Sequence, residues 1–389
     1  MDKSRPPLLD TYLQHFAEDE KLHGAVVPPI FQNSLFVFEN FEQFADQGDS
    51  ALDSEVYRYS RVSNPTVSIV EKKLAFLEKT ESAKVFGSGM GAISCAIMSC
   101  VSQGSHVVAI DTCYSNARQM LEQYLPKFEV STTFVEGSSV DEIADAIRPE
   151  TSLIYLESPS TFVFKLQNIE AVTKIAREKG IKTALDNSYS SPILQNPAEM
   201  GVDLITHSAT KYLGGHSDIV AGALCGPKEH LQKMITNEVL LYGSILAPFP
   251  AWLMLRGLRT LRIRIAQHQL AGNQVAEWLS KCPMIDRVHH VGSPSNPQRE
   301  LFLKQMRGSA GLLSFEPKFQ TREEVTRFVD SLKLFQIGVS WGGFESLVVA
   351  AEYKPKDYPE PRWLVRLYCG LEDPEDMVAD LDQAFSAMA

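Results

Sequence analysis

One lysine, Lys211, stands in the stretch SATKYLGGHSDIVAG (208–222) between Ser208-x-Thr210 and the pair Gly214-Gly215. A lysine amine acts as a nucleophile or general base only when uncharged, and its ordinary pKa of about 10.4 requires burial or a neighbouring charge to bring that about near pH 7. Four other short stretches combine residue types in the same suggestive way. They are the glycine-rich Gly87-Ser88-Gly89-Met90-Gly91, Asp111 followed by Tyr114, Glu157-Ser158-Pro159-Ser160, and Asp186-Asn187. Each has an ordinary structural reading when taken alone: a tight connection, half-buried packing, a helix cap, a solvated charge.

The elements that would position them can be read from 82 to 226. Short apolar runs at 82–87, 106–111, 152–157, 181–186, 202–209 and 219–226 alternate with stretches of helical period, such as 139–148 behind the capping box Ser139-x-x-Glu142. Strand alternating with helix implies a mostly parallel sheet covered on both faces, and ligands of such sheets bind outside the carboxyl ends of the strands. All five stretches fall at such ends and should face one crevice. Beyond about 250 the pattern changes to a long helix (about 250–280), strand 310–317, a helix opened by Thr321-x-x-Glu324, strand 364–370 and a last helix begun by Asp373-Pro374.

Two ligands compete for that crevice. Gly87-x-Gly89-x-Gly91 after a strand, with Asp111 ending the next, is a weak dinucleotide-binding signal, and it leaves Lys211 unexplained. Pyridoxal phosphate calls for a lysine at its aldehyde, an acid at its ring nitrogen, an aromatic on its ring face, and amides and hydroxyls on its phosphate. Lys211, Asp186 and Tyr114 match the first three, and Gly89, Met90, Ser208 and Thr210 the fourth.

HSATKYLGGHSD (207–218), with VVPPIFQNSLFVF (26–38) and LVRLYCGLED (364–373), resembles the cysteine/methionine-metabolism enzymes that use pyridoxal phosphate, the trans-sulfuration family. The resemblance implies an α/β protein of aspartate aminotransferase-like fold type I, with a mostly parallel seven-stranded sheet and a smaller C-terminal α+β domain. It implies an arm over 1–58, a cofactor domain over 59–250 and a C-terminal domain over 251–389. It also implies a homotetramer, a dimer of dimers with shared sites, in which Tyr59 and Arg61 of YSRVSNPT (59–66) reach the cofactor phosphate of the adjacent subunit. Ser340 and Trp341 of SWGGFESL (340–347) would contact substrate, and Arg366 would clamp its carboxylate. Lys211, Tyr114 and Tyr59 would move protons.

The reaction implied is carbon–sulfur cleavage of a sulfur amino acid, with β-elimination of cystathionine favoured. Trp341 resembles the bacterial cystathionine β-lyase type, and Asn116 stands where methionine γ-lyases carry a cysteine. Thr161 replaces the asparagine that many relatives set against the cofactor's phenolic oxygen, a replacement some β-lyases share. Cystathionine γ-lyase and γ-synthase remain alternatives, and a nicotinamide-binding oxidoreductase is a distant one. The formal charge of −11 and the lack of a basic stripe argue against nucleic acid. Six dispersed cysteines and nine histidines show no metal spacing, so no metal is expected. No apolar signal or membrane segment is evident, which suggests a cytoplasmic protein with no membrane partner.

Overall fold

The computed structural model describes residues 8–18, 21–46 and 56–388. Residues 1–7, 19–20 and 47–55 of the expected arm lie outside the described residues. The larger sheet has seven strands: β1 (Ser82–Phe86), β2 (His106–Ile110), β3 (Ser131–Val135), β4 (Thr151–Glu157), β5 (Lys182–Asp186), β6 (Leu204–Ser208) and β7 (Gly222–Gly226). Their spatial order is β1-β7-β6-β5-β4-β2-β3. β2 to β6 pair in parallel, whereas β7 runs antiparallel to both β1 and β6. The central strands are continuous apolar runs such as Val107–Ile110 and Leu153–Leu156, with no exposed face. That is what helices on both sides of a sheet require.

β3 escapes a reading by apolar runs because its Ser131-Thr132-Thr133 start lies half open at the sheet edge. The helix expected over 139–148 is only Val140–Asp145. Ser139 accepts from the Glu142 amide as expected, but the Glu142 carboxylate turns to the amides of Glu136 and Gly137 (3.0 to 3.2 Å) instead of closing the box. The box at Thr321 and Glu324 closes fully and opens helix Arg322–Ser331.

A second sheet follows, with β8 (Ile285–His289), β9 (Leu312–Pro317), β10 (Gln336–Ile337), β11 (Leu347–Tyr353) and β12 (Arg362–Tyr368) in the order β10-β11-β12-β9-β8. The single helix expected over 250–280 is two, Pro248–Arg259 and Leu261–Leu279, broken at Thr260. Helix Leu9–His15 is tied to the body by a buried cluster. Lys73 donates to Leu13 O (2.9 Å) and pairs with Glu18 (3.0 Å), which Arg259 also contacts (2.7 Å). Among the described residues no helix is long and apolar enough to cross a membrane.

Helix Gly89–Met98 starts where β1 ends, capped by Ser88 Oγ accepting from the Gly91 amide at 3.0 Å. Beneath that turn lies Gly222, the first residue of β7. A Cβ on Gly222 would stand 2.1 Å from Ser88 O and 3.0 Å from Gly89 Cα, both rigid backbone. Gly222→Ala is therefore expected to destabilise the protein by about 1–3 kcal/mol and to lift the glycine-rich turn, weakening retention of the cofactor expected from the sequence. Urea unfolding and cofactor content after dialysis measure the two effects.

Candidate active site

The carboxyl ends of β1, β2, β4, β5 and β6 open into one cleft of about 1010 Å³, closed from the other side by residues 339–341, β11 and β12. Each of the five stretches singled out in the sequence contributes to its lining.

Lys211 sits in the turn after β6. Its amide donates to Ser208 O (3.0 Å), and its carbonyl accepts from the Gly215 amide (2.8 Å). The side chain reaches into the cleft, where Nζ donates to Ser340 Oγ and lies 5.4 Å from the Trp341 ring centre. Burial, reinforced by the Arg366 charge and opposed by Asp186, brings the amine down to about 8.

Asp186 ends β5, with Oδ1 accepting from the Ser188 amide at 2.9 Å. In register beside it, Glu157 ends β4. Burial raises the pKa of both carboxyls, and the Asp186 charge helps push Glu157 up to about 8. Glu157 Oε2 accepts from the Tyr114 amide (2.7 Å), while Oε1 lies 2.6 Å from Thr161 Oγ1. Tyr114 is 41% exposed at the mouth of the cleft, its hydroxyl accepting from Asn116 Nδ2 at 3.0 Å.

At the opposite end, helix Gly89–Met98 presents the amides of Gly89 and Met90, which have no acceptor inside the helix. A Cβ at position 89 would meet the Ser208 side chain at 2.9 Å, so glycine keeps this seat open. Ser208 and Thr210 line the same end, and Thr210 Oγ1 accepts from the Ala221 amide at 3.0 Å.

Arg366 lies on β12 opposite Val349 and points into the cleft, its Nη2 donating to Ser340 O at 3.2 Å. Burial alone, with no carboxylate among the described residues acting on it, brings its pKa down to about 10. A half-buried cation without a counter-charge is costly, so the position is suited to a ligand carboxylate. Ser340, with φ of 83°, offers its hydroxyl to Lys211 and its carbonyl to Arg366.

Tyr59 and Arg61 do not line this cleft. They flank a separate surface hollow with residues 35–38, where the Arg61 guanidinium stands 4.8 Å from the Tyr59 ring centre.

Sequence reasoning passed over Phe162 and Tyr353. Their rings stack at 5.2 Å, and the Arg366 guanidinium lies 5.4 Å from the Phe162 ring centre. The available signal was the period-two pattern of β11, which puts Tyr353 on the same face as Val349. Asp111, the rival ribose-binding acid, is already engaged by the Lys356 amide at 2.6 Å.

The donor set fits pyridoxal phosphate. There is a low-pKa amine for the aldehyde, a buried carboxylate for the ring nitrogen, and a glycine-floored seat for the phosphate, made of helix amides without an intrahelical acceptor beside the hydroxyls of Ser208 and Thr210. A model of the family "Cys/Met metabolism PLP-dependent enzyme" matches residues 10–386. The chain belongs to this family.

Its relatives include an L-methionine gamma-lyase of Treponema denticola, 38% identical over 96% of each chain. The cystathionine beta-lyase MetC of Bacillus subtilis is 35% identical over 94% of this chain and 93% of its own. The crystal structure of metB from Corynebacterium glutamicum superposes with a TM-score of 0.90 at 30% identity, covering 98% of this chain and 99% of that one. The protein is thus a pyridoxal-phosphate-dependent enzyme of fold type I.

Only the neutral lysine amine attacks an aldehyde. Cofactor uptake by the apo-protein should therefore accelerate about tenfold per pH unit below 8 and level off above it. Stopped-flow absorbance across pH 6–9.5 checks this.

Proposed function

We propose that this chain is a carbon–sulfur lyase that cleaves cystathionine by β-elimination, adding water overall to give homocysteine, pyruvate and ammonia. The observation that carries the reading is the Lys211 amine held between Ser340 and Trp341 at the heart of a cleft whose far wall bears the unpaired Arg366. Asn116 beside Tyr114, in place of a cysteine, favours this reaction over methionine γ-cleavage. A γ-acting relative is the second reading, favoured by the similarity to methionine gamma-lyases.

When bound, the cofactor supplies an electron sink for the pair left on the substrate α-carbon. The chain's own residues do the rest. Arg366 grips the α-carboxylate through its planar guanidinium, fixing the α-carbon near Lys211 Nζ. That amine, already easily neutralised, takes the α-proton. Asp186 would hold the ring nitrogen protonated, and Tyr114 would cover the ring face. The departing thiolate on the β-carbon collects a proton from the phenol of Tyr114 or of an adjacent subunit's Tyr59. Phe162 and Tyr353 narrow the cleft above Arg366 and exclude water, which strengthens each charge inside it.

The separation of Tyr59 and Arg61 from their own cleft supports a shared-site homotetramer. So do the exposed apolar side chains of the preceding segment, among them Val37 and Phe41. We read residues 1–58 as the arm of this assembly, 59–250 as the cofactor domain and 251–389 as the C-terminal domain, working in the cytoplasm.

With cystathionine as substrate, pyruvate should accumulate together with homocysteine. Release of 2-oxobutyrate instead, measured by coupled dehydrogenases, establishes the γ-acting reading. A randomly reassorted 1:1 mixture of inactive Tyr59→Phe and Lys211→Ala subunits should recover about a quarter of the wild-type rate, since one site in four then pairs two intact contributions. Verified hybrids that stay inactive refute the sharing.

A further inference from the structure

Glu157 and Thr161 form a pair that the mechanism above does not use. Both line the cleft, and their side-chain oxygens are 2.6 Å apart. Glu157 is buried, and its other oxygen is already occupied by the Tyr114 amide. The hydrogen between Glu157 Oε1 and Thr161 Oγ1 can belong to either group. If the carboxyl is ionised, the threonine hydroxyl must donate to it and has no proton left for the cleft. If the carboxyl is protonated, it donates to Oγ1, and the threonine hydrogen is free to point outward.

What lies opposite follows from the ring itself, given the site roles proposed above, on which this inference rests. The ring nitrogen and the aldehyde carbon occupy opposite ends of pyridoxal phosphate, with the phosphate arm on one flank and the phenolic oxygen on the other. Asp186 lies on β5 and the phosphate seat on the β1 and β6 side of it, so the phenolic flank of a cofactor bound there would face β4, where Glu157 and Thr161 stand.

We propose that Glu157 is a positioning residue whose proton decides whether Thr161 donates a hydrogen bond to the cofactor's phenolic oxygen. Two features favour the protonated form at neutral pH. Glu157 is the strand neighbour of Asp186, and two carboxylates side by side in a buried site do not both ionise readily. Burial acts in the same sense, so that the group titrates at about 8. The neutral titratable groups near it are Cys113 before Tyr114 and Tyr155 on β4, both buried, and the half-buried Tyr353 on β11; the pKa of each is raised. The cations Arg118, Lys211, Lys354, Lys356 and Arg366 line the same cleft, as does the carboxylate of Asp111. The sign follows: below pH 8 Thr161 donates to the cofactor, and above it the bond is withdrawn.

The test is the absorption spectrum of the holoenzyme, titrated from pH 6.5 to 9.5 without substrate. Wild type should show a spectral step centred near pH 8. Glu157→Gln keeps a donor on Thr161 Oγ1 and an acceptor for the Tyr114 amide, so it should hold the low-pH spectrum throughout. Thr161→Val should hold the high-pH spectrum, and Thr161→Ser should restore the step. Loading wild type with 3-deoxypyridoxal phosphate, which lacks the phenolic oxygen, should abolish it. A flat wild-type titration, or a step that survives in Glu157→Gln or Thr161→Val, overturns the proposal. Borohydride fixation followed by peptide mass analysis separates the two levels of argument. Cofactor fixed at Lys211 together with an unaltered step sinks only the present inference, whereas fixation elsewhere sinks the site assignment beneath it.

Discussion

A negative charge buried at the end of β5 is the constraint on which the site turns. Asp186 has little water and receives one backbone hydrogen bond, from Ser188. Taking a carboxylate out of water costs several kcal/mol unless a partner compensates. The Ser188 hydroxyl and amide, and then the charges of His207 and Lys211, offset part of that cost, but among the described residues none forms an ion pair with Asp186. The carboxylate is therefore poised for a cation arriving from the cleft, and a protonated pyridine nitrogen is a suitable one. The shifts at Lys211, Glu157 and Arg366 cluster around the same cleft, as groups tuned for chemistry do.

Precision comes from packing that joins the two sheets behind the lysine. Tyr212, next to Lys211, is fully buried and accepts from the Gly311 amide at 3.3 Å just before β9. Its ring packs against Trp341, His268 and Tyr368, and Tyr368 in turn donates to Gly343 O at 2.7 Å. One aromatic cluster thus bears on the turn carrying Lys211, on the loop carrying Ser340, and on the strand carrying Arg366. Functional side chains hold their geometry when their neighbours are locked in this way.

Much of the cleft was legible because parallel sheets impose a rule on where ligands go, and five unusual stretches all ended apolar runs. The register of Glu157 with Asp186 was not legible. It depends on which strands become neighbours, and a crossover connection does not announce that order. β3 was hidden by its polar edge residues, and β11 by flanking loops that blur its alternation. The break at Thr260 eluded a periodicity reading because apolar positions continue in phase across it. The roles of Tyr59 and Arg61 came only through family resemblance, since nothing in their spacing points to another subunit's cleft.

The reversed direction of β7 has a mechanical meaning. The chain climbs β6 to the cleft, turns at Lys211 and descends β7, and the two legs are stitched together where Thr210 N donates to Ala221 O at 3.1 Å. The lysine thus rides on an arch anchored at both feet in the sheet, whereas Tyr114 and Thr161 sit on loops whose exits lead away into helices or long connections. An arch held at both ends resists displacement in every direction. In the proposed reaction the amine would be released and recaptured in each cycle, and the stiffness of the backbone below it would return it to one address.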